Sequence, residues 1–238
     1  MKSFAALLFA ATAAVAPLHA QQPDAAAMVR SIRLSATLQQ MDLTGSVERD
    51  GGPKFGVNLF IRENNMQFQL GEKERFHIRM GDESAQLMNV IDDKGTTKPF
   101  PSSKLAQPIA GTDVSYEDLT LRFLYWKKAS LEGEEKANGE DCYKIRLDNT
   151  DGDGAYGVVY VWVHKKYGAF WQIRAHDKKG VPLKEFLVNS VMKLPNDKGY
   201  AIKEMRVNAL DANSRTKSIT YLRFEKPSAV GAPKGRGR

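Results

Sequence analysis

Six aromatic side chains, Phe60, Phe68, Phe123, Trp126, Trp162 and Trp171, could line a groove for an acyl chain. Plain core is the competing reading, because a large sheet under helices buries aromatics in any case. Ser115, with Asp113, Glu117 and Asp118 around it, invites a hydrolase reading in which the serine is a nucleophile. Helix capping explains the same residues: Ser115 holds the cap position, Asp118 stands three residues on, and no base lies nearby in sequence.

Other chemistry is thinly represented. His77, His164 and His176 are far apart, all on expected strands, where a satisfied sheet histidine is the ordinary outcome. Asn149-Thr150-Asp151-Gly152-Asp153-Gly154 resembles the start of a calcium loop, but Tyr160 stands where a bidentate Glu belongs, so an Asp/Gly-rich turn is expected. Cys142 is the one cysteine, without an internal disulfide partner, and reads as a buried thiol on a strand. There is no Gly-x-Ser-x-Gly elbow, zinc helix, phosphate loop or dinucleotide fingerprint. No catalytic residue, cofactor or metal is therefore assigned.

The elements that must position these residues follow from hydrophobic period. Asp24 caps a helix over about residues 24 to 38, with Ala25, Met28, Val29, Ile32 and Ala36 near helical spacing. The period then changes to two. Strands are expected at 43–48, 55–62, 66–70, 75–80 and 85–91, with turn residues between them. A Pro/Gly-rich loop of about twenty residues follows residue 92. A second helix begins at Ser115, with Tyr116, Leu119, Phe123 and Trp126 on its apolar face and Glu117, Thr120 and Arg122 exposed. Strands resume at 129–136, 141–147, 156–164, 170–176, 183–192, 200–207 and 214–224. The fold class is mainly β (α+β): a large curved antiparallel sheet, a half-barrel, covering two or more helices on its concave face.

The chain's ends carry different information. Residues 1–20 have a positive start, an apolar run from Phe4 to Pro17 and a small residue before a cut, and so read as a secretory signal peptide. The mature chain is expected to start near Gln21, to be soluble and periplasmic, and to form a single domain over residues 21–226. The formal charge of +7 is concentrated: Lys2 and the segment 225–238, where four cations face Glu225, supply more than half of it. Residues 227–238 therefore read as a flexible basic tail. The nearly balanced body and the exported location argue against nucleic acid.

The run Gly111-Thr112-Asp113-Val114-Ser115-Tyr116-Glu117-Asp118-Leu119 resembles the signature of the bacterial outer-membrane lipoprotein-sorting-protein-like family, relatives of the periplasmic lipoprotein carriers. Glu140-Asp141-Cys142-Tyr143 is similar to a family hairpin, and Val161-Trp162-Val163-His164-Lys165-Lys166 to a family strand end. The Pro-rich loop from Lys98 to Pro108 departs from the family's basic loop. The resemblance implies a half-barrel whose apolar cavity binds lipid acyl chains or lipoproteins, with inner- or outer-membrane proteins as further partners and a monomer as the working state. Two other readings remain open: an envelope sensor or adaptor that binds a protein through the same sheet, and a lipid hydrolase.

Overall fold

The computed structural model describes residues 23–37, 40–72, 74–195 and 199–227. The expected signal peptide, residues 1–20, and nearly all of the expected basic tail, 227–238, lie outside these residues. Helix α1 spans Ala25–Thr37. Asp24 caps it, its carboxylate accepting the Ala26 N–H at 2.9 Å.

Thirteen strands form one antiparallel sheet. They are β1 (Met41–Arg49), β2 (Lys54–Arg62), β3 (Asn65–Leu70), β4 (Glu74–Met80), β5 (Ala85–Val90), β6 (Thr97–Pro99), β7 (Lys128–Ala137), β8 (Glu140–Asp148), β9 (Tyr156–His164), β10 (Phe170–Asp177), β11 (Pro182–Lys193), β12 (Tyr200–Leu210) and β13 (Thr216–Phe224). Their spatial order is β6-β5-β4-β3-β2-β1-β13-β12-β11-β10-β9-β8-β7. The chain thus makes one meander outward from β1, crosses the sheet, and makes a second meander back until β13 lies beside β1.

That β1–β13 seam depends on Gly45, paired with Phe224. A Cβ there would sit 2.0 Å from the Arg223 carbonyl oxygen, so no larger residue fits without moving backbone. The far edges, β6 and β7, do not pair with each other, and the sheet curves without closing. Both edges are blunted against further pairing: β6 ends on Pro99, while β7 is bulged between Leu131 and Gly133 and carries Glu132, Glu134 and Glu135.

Alternation along the strands sends one set of side chains to the concave face. Val57, Phe76, Ile78, Ile145, Leu147, Val161, Ile173 and Val207 meet there in the main core. The opposite face is polar, with Glu185 accepting from Arg174 and Gln172, and Arg223 paired with Glu204. Helix α1 packs on β7 and reaches the β4–β5 turn through Arg33, whose Nη1 donates to the Asp82 carbonyl at 2.9 Å. No helix among the described residues is long and apolar enough to cross a membrane.

The expected continuous helix from Ser115 to Trp126 is the main correction. Helix α2 runs only over Tyr116–Thr120, and a 3-10 turn follows at Arg122–Tyr125. Between them Leu121 takes a left-handed conformation, φ 45° and ψ 36°, which is uncommon for a side-chain-bearing residue and ends the helix. Glu117 and Thr120 are also buried, at 2% and 6% exposure, where an exposed face is expected from the helical pattern. The segment before them also contains the short β6 and a 3-10 turn at Ser102–Lys104.

Candidate functional site

The six candidate aromatics separate. Phe68 and Phe123 are buried in the main core. Phe60 falls between Leu59 and Ile61, which face inward, and so projects to the outer face opposite Asp42 and Gln67. Trp162 also lies outside the main core, in a small cluster with Ala137 and Cys142, and its Nε1 donates to Glu135 at 2.5 Å. Trp126 stacks edge-on to Phe123 and lines a polar cavity beside α1. Trp171, the extra residue of a β10 bulge, packs against the cluster of Ala137, Cys142 and Trp162 too and is the one candidate that lines an apolar cavity.

That cavity has a volume of about 270 Å³. Its wall comes from Leu43 and Ile61 of the first meander, Val188 and Ile202 of the second, Ile32 of α1, and Leu121, Leu124 and Tyr125 of the crossing segment. Tyr167 and Tyr200 stand at its mouth, 44% and 49% exposed, with ring centroids 5.6 Å apart. Arg33 is the one charged residue in the described lining. Leu121 reaches the wall because its left-handed backbone turns the chain out of α2, so the break in the helix is also what shapes the cavity.

The signature residues lie elsewhere and form a buried polar anchor. Asp113 accepts hydrogen bonds from Ser218 Oγ at 2.5 Å and Thr220 Oγ1 at 2.9 Å, and its own N–H donates to Thr220. The Asp118 carboxylate accepts from the Ser115 N–H and Oγ, from Lys184 Nζ at 2.7 Å and from the Tyr156 hydroxyl at 2.5 Å. Tyr116 packs between Phe76 and Phe100. Glu117 accepts the Ala155 N–H at 3.0 Å, and Gly154 beside it leaves no room for a Cβ, which would lie 2.0 Å from the Glu117 carboxylate. Gly111, at φ 72°, turns the chain into this anchor. Burial raises the Glu117 carboxyl above its ordinary range, and burial followed by the Asp118 charge raises the Tyr156 hydroxyl well above its own.

Folding does bring a basic group to Ser115, since Lys184 Nζ is 3.2 Å from its Oγ. The bonding runs the wrong way for nucleophile activation. Lys184 is already ion-paired with Asp118, and the Ser115 hydroxyl donates to that same carboxylate, so the lysine acts as a donor and not as a base. Capping and anchoring account for Ser115 in full.

The remaining chemical candidates are structural. His77 contacts Asn65, and burial lowers its basicity, with Arg79 adding to the effect. His176 is lowered first by burial and then by Arg174. His164 accepts the Lys166 N–H. Asn149 closes the Asp/Gly-rich turn, its amide donating to the Asp153 and Tyr156 carbonyls. No group of three or more His, Cys, Asp or Glu among the described residues is arranged to hold a metal ion. Burial pushes the Cys142 thiol up to about 11, the behaviour of a structural cysteine.

A curved, unclosed antiparallel sheet over a short crossing segment, with an apolar cavity beneath it, defines the half-barrel fold of the lipoprotein-sorting-domain proteins. Solved structures share it. A DUF1329 family protein from Desulfovibrio piger ATCC 29098 is 16% identical with a TM-score of 0.67, covering 89% of this chain and 96% of that one. A putative outer membrane lipoprotein-sorting protein domain from Vibrio parahaemolyticus is 15% identical with a TM-score of 0.65, covering 87% and 93%. A LolA superfamily protein from Nitrosomonas europaea is 12% identical with a TM-score of 0.60, covering 89% and 96%. These identities establish the fold alone. A family model described as "Uncharacterized protein" matches residues 82–228, more than half of the sequence, and the chain belongs to that family. No curated protein matches the sequence.

Proposed function

We propose that this protein is a periplasmic carrier that holds an acyl chain of a lipid or lipoprotein in its apolar cavity, acting in lipoprotein sorting or envelope lipid transfer. The observation that carries this reading is the cavity itself, an apolar space of about 270 Å³ with a tyrosine-lined mouth. The signal-peptide pattern of residues 1–20 supports the compartment. The signature resemblance and the sorting-domain name of the Vibrio structure support the cargo class.

The volume sets the capacity. An apolar cavity of roughly 150 Å³ takes one benzene, so this space takes about ten carbons of a single chain. Burying about ten methylenes at ~0.8 kcal/mol each gives a gross gain of roughly 8 kcal/mol, before the cost of association. The resulting affinity is micromolar or weaker, which suits a carrier that must also release. The body, residues 21–226, works here as one binding unit, with no catalytic step.

Native mass spectrometry of protein purified from a bacterial periplasm tests this reading. Co-purifying phospholipid or acylated peptide is expected. Protein that carries no lipid, and takes up none when offered decanoate or phospholipid vesicles, would overturn it in favour of the sensor or adaptor reading.

A further inference from the structure

The apolar cavity shares a wall with a second one. Arg33, Leu124 and Tyr125 line both it and a more polar space of about 260 Å³ beside α1, whose wall mixes charged and apolar side chains. The second space brings together Arg30, Arg33 and Lys127 with the carboxylates of Asp82 and Glu83, and Trp126 forms part of its wall. Three cations against two acids leave it one formal positive charge.

Arg33 is the group that looks both ways. Its guanidinium lies over the Tyr125 ring, 4.6 Å from the centroid, and Nη1 donates to the Asp82 carbonyl at 2.9 Å. Its Nε is buried without a hydrogen-bond partner among the described residues. A buried guanidinium N–H left unpaired is costly, and where Arg33 lines the two cavities its charge is available to an anionic oxygen. Stacking on Tyr125 also holds the planar fork in place, which suits it to a carboxylate or phosphate.

We propose that the two cavities form one site for a single-chain amphiphile with an anionic head. The tail occupies the apolar space, and the carboxylate or phosphate lies against Arg33 in the polar one. This rests on the acyl-chain reading above and narrows it: the apolar space holds one chain segment of about ten carbons, not two or three side by side. Asp82 and Glu83, both exposed in the same chamber, disfavour a head of higher negative charge.

The test is displacement of dansyl-undecanoate fluorescence from the purified full chain. The competitors are dodecanoate, lauroyl-lysophosphatidylglycerol, the uncharged monolaurin, and dilauroyl-phosphatidylglycerol. The single-chain anions are expected to compete about tenfold better than monolaurin, the loss of one charge-assisted hydrogen bond, and better than the two-chain lipid. Dodecanoate alone would identify a free fatty acid, and the lysolipid a phosphate head. Arg33→Gln should weaken the anions about tenfold and weaken monolaurin far less. Arg33→Lys, which keeps the charge and the stem, should fall between the two, and it provides a second reading if the glutamine variant fails to fold. Equal competition by monolaurin and dodecanoate, equal competition by the two-chain lipid, or an equal loss for every ligand in Arg33→Gln would overturn this inference while the acyl-chain reading stands. Failure of the probe and of every chain to bind the folded protein would overturn both.

Discussion

Residues 112–118 and residues 121–126 lie on one continuous segment beneath the same sheet, yet their surroundings share almost no chemistry. The first stretch is fixed by directional contacts. Asp113 is tied to Thr220 and Ser218 on β13, while Asp118 is tied to Lys184 on β11 and Tyr156 on β9. The second stretch is held by shape: Phe123 fills the core, while Leu121, Leu124 and Tyr125 wall a space. A half-barrel that must keep a cavity open cannot fill it, so the crossing segment is secured at one end by groups that tolerate no substitute. At the other end its aliphatic side chains are interchangeable in kind, and only their volume matters.

Breaking the anchor should give the largest effect. Asp118→Ala leaves Lys184, Tyr156 and Ser115 facing a gap in a buried site, and removing one partner of a buried ion pair costs about 3–5 kcal/mol. Denaturant unfolding measures this, and a loss below about 1 kcal/mol would show that the anchor is not what holds the segment. Filling the cavity should do the opposite. Leu59→Trp places an indole ring where an aliphatic side chain lines the cavity with Leu43, Ile61 and Met66, and it should reduce acyl-chain binding by about tenfold while costing no more than about 1–3 kcal/mol of stability. Equal binding in a folded Leu59→Trp variant would mean the chain lies elsewhere.

The pH dependence sharpens the contrast within the anchor. Burial, aided by the Asp118 charge, raises the Glu117 carboxyl, although the Ala155 N–H, Arg122 and Lys184 oppose it. The folded protein therefore binds this proton more tightly than the unfolded chain does. Its contribution is greatest below the ordinary glutamate value of 4.5 and declines as pH rises toward the elevated folded value. Glu117→Gln should remove that decline and leave the variant the more stable protein at neutral pH. Urea unfolding from acid to neutral pH checks this, and parallel curves for the two proteins would exclude Glu117 as the source.

How much of this is legible in the residue order depends on the range of the contacts. The strands are legible because alternation is local, and the hairpin turns between them carry their own glycines. The signature 111–119 is legible as a motif, but its role is not. Nothing near Ser115 announces Lys184, 69 positions away, or Thr220, beyond a hundred from Asp113. Phe123 and Trp126 fit a helical period, which conceals the left-handed turn at Leu121. The cavity is the least legible feature. Its wall mixes Leu, Ile, Val and Met from both meanders and both helical regions with aromatics such as Phe170, Tyr200 and Phe224 that nothing in their spacing singles out, and of the six candidate aromatics Trp171 alone lines it, because a core uses aromatics equally well.

The two tryptophans on opposite sides of that ambiguity offer the smallest effect, and it separates the faces of the sheet. Trp171 lines the cavity while also packing against the cluster of Ala137, Cys142 and Trp162, whereas Trp162 lies within that cluster, away from the cavity, and donates its indole N–H to Glu135. Binding of decanoate should shift the emission of a Trp162→Phe, Trp126→Phe double variant, whose remaining indole is Trp171. It should leave the emission of a Trp171→Phe, Trp126→Phe variant unchanged, because Trp162 is already 4% exposed and packed on the outer face. Affinity in the first variant should stay within about twofold of the parent, since neither residue lines the apolar cavity and phenylalanine keeps an aromatic wall at position 126 in the chamber beside it. A response from Trp162 and silence from Trp171 would move the binding surface to the outer face and favour a docked partner over a buried chain.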